Sequence, residues 1–254
     1  MRIRAFSSRN IKELLRDPIS YIFCLGLPIV MLVVMTIINE SIPDMEGAPK
    51  IFKIELLTPA MAIFALTFIM LFACIRVSSD RSDAFLTRLY ASPMKSSDFI
   101  VGYMLPFGII ALAQVVITYV SGEIIALVKG DSLDIVNMLI SIPFIIPSMI
   151  LFISLGLIFG TLFNAKAAPG VNSAIITMAA ILGGMWMDID TLGGSWKTVC
   201  SCFPFYHSVK YARYAFNGNF SDLWESFLIC SAFAAVIFIA SITIFSLKVK
   251  SDKK

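Results

Sequence analysis

Apolar runs of membrane-spanning length alternate with short charged stretches along almost the whole chain. Six such runs fall at about 19–38, 56–75, 99–128, 137–163, 169–187 and 224–247. A bilayer core of roughly 30 Å takes about 20 apolar residues of helix, and each run meets or approaches that length. The pattern predicts an all-α integral membrane protein with six transmembrane helices, forming a single membrane domain over 1–254. An even number of spans puts both ends on one face. That face would carry five Lys and Arg before the first run, four between the second and third, Lys166, and four at the C-terminal end, 14 in all. The other face would carry only Lys50, Lys53, Lys129, Lys197, Lys210 and Arg213. Positive residues gather on the cytoplasmic face, so the distribution predicts a multi-pass protein of the cell (plasma) membrane with both termini cytoplasmic.

The segments between the runs carry patterns of their own. Residues 1–18 read as an amphipathic interfacial helix. Ile3, Phe6, Ile11, Leu14 and Leu15 make the apolar half, and Arg9, Lys12 and Arg16 belong to a basic half facing headgroups or a cytosolic partner. Asp17-Pro18 ends it, because proline disfavours helix in the residue before it. On the same face, Asp80 to Tyr90 can form three turns with Phe85, Leu86, Leu89 and Tyr90 on one side and Arg81 and Arg88 beside them, stopped by Ser92-Pro93. Such a helix either floats at the interface or docks into a groove of another protein.

The third run is about 45 Å long as helix, so it must tilt, kink or project. Gly102, Pro106 and Gly108 supply a kink site. Glu123 near its outer end is either a functional intramembrane acid or one that has reached the headgroups. Pro143 and Pro147 predict an irregular outer half for the fourth run, and Gly156 and Gly160 a close helix contact. From Asp188 to Glu225 the chain is dense in aromatics. The stretch from Pro204 to Phe216, ended by Asn217-Gly218, is too polar to span and too apolar for an open loop. It reads as an outer re-entrant hairpin before the sixth span, or as an interfacial aromatic belt. Arg213 there needs a partner, with Glu123, Asp188 and Asp190 as the available acids.

Composition agrees. Mean hydropathy is +0.87, and 15% of residues are charged against about 25% in soluble domains. The net charge of +3 gathers on the cytoplasmic face, where it suits an anionic leaflet rather than nucleic acid. Catalytic patterns are missing. There is no G-x-x-x-x-G-K-[ST] phosphate loop and no H-E-x-x-H, and His207 is the single histidine. Cys200, Cys202 and His207 would give three metal ligands without a fourth, so free thiols are the expectation there and no metal is. Few acids lie within the spans, which disfavours an ion-coupled carrier.

The order of these features resembles the type-2 permease family of ATP-binding-cassette exporters. The likeness rests on K-E-L-L-R-D-P at Lys12 to Pro18, F-L-T-R-L-Y-A-S-P-M-K at Phe85 to Lys95, and F-P-F-Y-H-S-V-K-Y-A-R at Phe203 to Arg213. It implies a transporter subunit without its own ATPase site, binding no cofactor itself. It also implies two copies of a partner ATPase carrying ATP and Mg, and a second permease, the same or a paralogue. Phe85, Leu86, Arg88, Leu89, Tyr90 and Pro93 would couple to the ATPase, and Pro204, Phe205, Tyr206 and Arg213 would belong to an outer gate. The expected cargo is an amphipathic drug or antimicrobial-type compound, or else a lipid or lipid-linked glycan. A channel or carrier independent of ATP, and a membrane scaffold without transport, are the readings from other classes.

Overall fold

The apolar runs become helices, and the prolines and glycines divide them. The computed structural model describes residues 2–18, 22–41, 52–82 and 95–252. Phe85, Leu86, Arg88, Leu89, Tyr90 and Pro93 lie outside the described residues. α1 is Arg2–Leu14, and α2 is Leu27–Ser41, entered through a π-helical turn at Ile22–Gly26. α3 is Ile54–Ser82, α4 Ser96–Val128, α5 Ile135–Phe144, α6 Ile146–Leu162 and α7 Ala168–Leu182. α8 (Ile189–Leu192), α9 (Gly194–Ser201), α10 (Pro204–Phe216) and α11 (Trp224–Asp252) complete the chain. No strand occurs among the described residues.

Among the described residues, four helices are long and apolar enough to cross a membrane: Ile22–Ser41, Ile54–Ser82, Ser96–Val128 and Trp224–Lys248. The α5–α6 pair makes a fifth if its 43° bend is counted within one span. The chain is therefore a multi-pass membrane protein. The bend at Ile145 falls between Pro143 and Pro147, as expected where two residues lack an N–H for the helix ladder. α4 stays one helix through Pro106, and at its start Asp98 Oδ2 accepts from the Lys95 N–H at 2.9 Å. α7 covers only about 22 Å, because the run predicted at 169–187 turns at Gly183-Gly184. Gly184 has φ +66°, a conformation that suits glycine.

α3 is the central helix, packed by α4, α6, α7 and α10. Its contact with α6 is as close as backbones allow. A Cβ on Gly160 would stand 2.6 Å from the Cys74 carbonyl oxygen, and one on Gly156 would strike the Met70 carbonyl. The predicted glycine pair thus sits at a helix crossing. α2 and α11 contribute Leu32 and Phe245 to this core but are the least buried of the four long spans and expose apolar side chains such as Val30 and Val236, which suit a lipid surround.

α1 lies on the first turns of α4. Gly102 leaves room for the Phe6 ring, which meets Phe99 and Tyr103 edge-on. Ser7 Oγ and Asn10 Nδ2 donate to the Gly102 carbonyl at 3.1 and 3.3 Å. The buried strip is Phe6, Ser7, Asn10 and Leu14. Leu15, placed on the apolar half from sequence, is 65% exposed, because one residue turns a helix by about 100° away from the strip that Leu14 occupies.

Candidate functional site

The polar side chains that the fold brings together form two groups, one at each end of α3. The first surrounds Asp80. The apolar run ends near residue 75, yet α3 continues to Ser82, because its last polar residues find partners. Asp80 is buried. Its Oδ1 lies 3.2 Å from Arg9 Nη2 and 3.1 Å from Arg76 Nη2, and its Oδ2 accepts from the Tyr103 hydroxyl at 2.7 Å. Glu13 pairs with Arg9 at 2.8 Å and also with Arg76. Two guanidinium groups and two carboxylates from α1 and α3 thus form a neutral cluster, and Tyr103 ties it to α4. Next to it, Arg81 donates to the Thr161 carbonyl at the end of α6, a favourable place for a cation.

The three basic residues of the predicted interfacial face therefore separate. Arg9 turns inward to Asp80, while Lys12 and Arg16 remain exposed. Residues 80–82, which the pattern assigned to a separate helix ending at Tyr90, belong to α3. Arg81 donates to the end of α6, while Arg88, placed by the pattern on the same face as Arg81, lies outside the described residues. The sequence signal for this cluster was two i,i+4 pairs of opposite charge, Arg9 with Glu13 and Arg76 with Asp80. Neither pair reveals that it meets the other.

The second group is built on α10. Pro204 occupies the first turn and Gly218, at φ +73°, follows the end, the polarity expected of a helix with such termini. Ten of the helix residues are buried, among them Pro204, Phe205, Tyr206 and His207. α10 is a buried helix rather than a solvated loop. Phe205 stacks on Phe152 of α6 at 5.8 Å between centroids. The Tyr211 and Ser148 hydroxyls are 2.6 Å apart. His207 Nε2 lies 2.9 Å from the Ser201 carbonyl and Nδ1 3.2 Å from the Ser226 hydroxyl. The first must be a donor and the second an acceptor, so both ring nitrogens are engaged. Burial lowers the His207 pKa against the opposing pull of the Ser201 carbonyl. Cys200 is buried and Cys202 exposed, so the three residues weighed as metal ligands do not gather into a site.

Arg213 fastens α10 to two other elements. Its Nε donates to the Leu56 carbonyl at the start of α3, and its Nη2 to the Gly184 carbonyl after α7, both at 3.1 Å. The expected carboxylate partner is replaced by two backbone acceptors, since the helix end and the turn expose carbonyls that a guanidinium fork can reach. Glu123 is used elsewhere, accepting from the Leu133 N–H at 2.9 Å in the turn between α4 and α5. Burial lowers the Arg213 pKa to about 10, opposed by Asp188 and Asp190, so the group is a cation at neutral pH. Asp190 accepts from the Tyr206 hydroxyl at 2.8 Å and lies 2.7 Å from Lys197 Nζ. Burial pushes the Asp190 pKa up, but these two partners outweigh it and hold the carboxyl below the ordinary aspartate value. A cavity of about 550 Å³ opens here between α10, the first turn of α3 and the segment from Gly183 to Asp190.

Residues 1–217 match the family described as ABC-2 type transporter. Over 238 residues the chain is 21% identical to the Bacillus subtilis (strain 168) protein YvfS, which carries a transport-permease name; the match covers 92% of this chain and 93% of that protein. The chain belongs to the ABC-2 type transporter family.

Proposed function

We propose that this permease is the membrane subunit of an ATP-driven exporter that moves an amphipathic cargo outward by alternating access. Its six spans would be Ile22–Ser41, α3, α4, the bent α5–α6 pair, α7 with the turn that follows it, and α11. Both termini would face the cytoplasm from the plasma membrane, placing the Asp80 cluster inside and α10 outside. Two ATPase subunits holding ATP and Mg would dock below, and a second permease would complete the channel. A drug or antimicrobial-type compound is the favoured cargo.

The observation that carries this reading is the double attachment of α3. One end is bonded to α1 and α4 through Asp80, three residues before the 83–94 segment. The other end is bonded to α10 through the Leu56 carbonyl. A push on 83–94 would then act on a rigid helix whose far end holds the outer gate. This supports assigning Phe85, Leu86, Arg88, Leu89, Tyr90 and Pro93 to ATPase coupling and Pro204, Phe205, Tyr206 and Arg213 to the gate.

Proteoliposomes containing the permease and its ATPase provide the test. Efflux of an amphipathic dye should require ATP and stop with a hydrolysis-dead ATPase. Leu89→Asp should leave ATPase activity but abolish efflux, since a carboxylate forced into an apolar docking groove is costly. Efflux that persists without ATPase would establish a passive channel instead. Normal efflux in Leu89→Asp would remove the docking role from this segment.

A further inference from the structure

The cavity beside α10 is lined by charges of both signs, and although Asp188 and Asp190 act on Arg213 from a distance, neither Lys210 nor Arg213 is in a direct ion pair among the described residues. Lys210 and Arg213, three residues apart on α10, both line it, and that spacing places them on one face. Arg213 is oriented by two carbonyls, so its direction is fixed while its bonded partners are neutral. Lys210 Nζ stands 5.5 and 5.9 Å from the Tyr206 and Tyr214 ring centroids, a cation–π setting rather than an ion pair. On the opposing walls, Asp190 is already matched by Lys197 and Tyr206. Asp188 accepts from the Thr191 N–H through Oδ1 alone, and Glu55 is exposed at the start of α3 beside Lys53.

A wall that presents both signs discriminates between ligands. A simple anion would meet Glu55 and Asp188, and a simple cation would meet Lys210 and Arg213, each with a repulsive term. A ligand carrying both charges turns each set into an attractive contact. The volume lies within the roughly 300–1,000 Å³ of small-molecule sites. Its location also selects. The cavity opens where the apolar stretches of α3 and α7 end, and Leu192 and Trp196 are exposed on the segment bearing the Asp190–Lys197 pair. Exposed tryptophan beside charge is typical of a membrane–water boundary.

We propose that this cavity binds the head of a zwitterionic amphiphile, with its phosphate oxygens on Lys210 and Arg213 and its primary ammonium on Glu55 and Asp188. Binding of this kind depends on neither ATP nor transport, so it stands or falls apart from the exporter reading. Two sources offer the chemistry: a phosphoethanolamine lipid of the adjoining leaflet and a water-soluble phosphoethanolamine ester.

The full-length permease in detergent micelles should be titrated with dihexanoyl-phosphatidylethanolamine, dihexanoyl-phosphatidylglycerol and glycerophosphoethanolamine, with binding read by calorimetry. The ethanolamine lipid should bind about 10-fold more tightly than the glycerol lipid, the scale of one charged hydrogen bond. Lys210→Gln should weaken it by about the same factor, and Lys210→Arg should restore it. Glu55→Gln should reduce the difference between the two lipids. Glycerophosphoethanolamine binding as tightly as the lipid would assign the site to a soluble zwitterion; binding only with acyl chains would assign it to the leaflet. Equal affinity for the two lipids in the unmodified protein overturns the proposal, whatever Lys210→Gln does. A preference for ethanolamine that survives both Lys210→Gln and Glu55→Gln overturns it too, because the lipid is then held elsewhere.

Discussion

The two ends of α3, about 36 Å apart from Leu56 to Asp80, hold charge in different ways. At the Asp80 end a buried carboxylate sits between guanidinium groups from two helices, with a tyrosine from a third. At the Leu56 end a partly buried guanidinium is gripped by carbonyls. The first joint consists of side chains that can exchange partners, since Arg9 and Arg76 each also contact Glu13. The second is made to backbone atoms, which have no rotamers to change. A permease that must move at one end while keeping its helices registered at the other would be expected to combine an exchangeable joint with a fixed one.

Removing the carboxylate is the strongest way to break this contrast. Asp80→Ala takes from Arg9 and Arg76 the buried carboxylate that they share, with Glu13 still between them. Deleting one member of a buried pair costs about 3–5 kcal/mol. Because both arginines retain some solvent contact, the lower end, about 3 kcal/mol, is expected. Thermal unfolding in a lipid nanodisc measures it. A loss no larger than that of an exposed control such as Lys12→Ala would show that the cluster holds nothing together.

Arg213→Lys tests the fixed joint. A lysine keeps the charge but cannot reach two carbonyls with a planar fork, so a loss of about 2 kcal/mol is expected from the abandoned acceptors. The pH dependence sharpens the distinction. The folded-state pKa of Arg213 is lowered to about 10, which means that folding disfavours its charged form. That cost is fully present below the folded value and is relieved only as pH rises through it. Between about pH 6 and 9 the arginine therefore adds no slope to stability. A slope in that range which vanished in Arg213→Lys would contradict this assignment.

These two joints also mark the limit of what the sequence disclosed. The central spans, the break between Pro143 and Pro147, and the bounds of α10 at Pro204 and Gly218 were legible, because each depends on local chemistry: apolar length, a missing N–H, a positive φ. Arg9 was misplaced onto an outward basic face, since a helical wheel sorts residues by type, and its partner Asp80 lies 71 positions away. The continuation of α3 past the apolar run was hidden for the same reason. Hydropathy falls at Arg76 and Asp80 while the helix persists, as the charges cancel against groups from α1. The carbonyl partners of Arg213 left no trace at all, because every residue has a carbonyl. The short helices α8 and α9, of four and eight residues, fall below any periodic signal.

Tyr103→Phe probes the Asp80 joint more gently. It removes one hydrogen bond of 2.7 Å to the carboxylate while both guanidinium contacts and the ring packing against Phe6 remain. A hydrogen bond to a charged acceptor contributes about 1.5 kcal/mol or somewhat more. Paired with Asp80→Ala in a double-mutant cycle, the two losses should be strongly non-additive, since the tyrosine has no acceptor once the carboxylate is gone. Additive losses would place the stabilisation by Tyr103 in its ring contacts instead.

The smallest effect belongs to Asp190, which joins α8 to α10 through Tyr206 and to α9 through Lys197. The Asp190 side chain is 49% exposed and that of Lys197 44%, so solvent screens the pair and little of its attraction survives as stability. Burial of Asp190 acts to raise its pKa, but the contacts from Lys197 and Tyr206 prevail and the folded value lies below that of an ordinary aspartate. A depressed acid contributes stability that is present above its unfolded value and lost as pH falls through the folded one. The α8–α10 contact should therefore be unchanged at neutral pH and loosen only below about pH 4. Asp190→Asn should mimic the acid state at neutral pH, raising amide exchange across 204–216 by less than about 5-fold. Arg213→Lys should raise it by considerably more in the same segment. If the order of these two variants is reversed, α10 is held by its surface pair, and the comparison between a fixed end and an exchangeable end of α3 loses its basis.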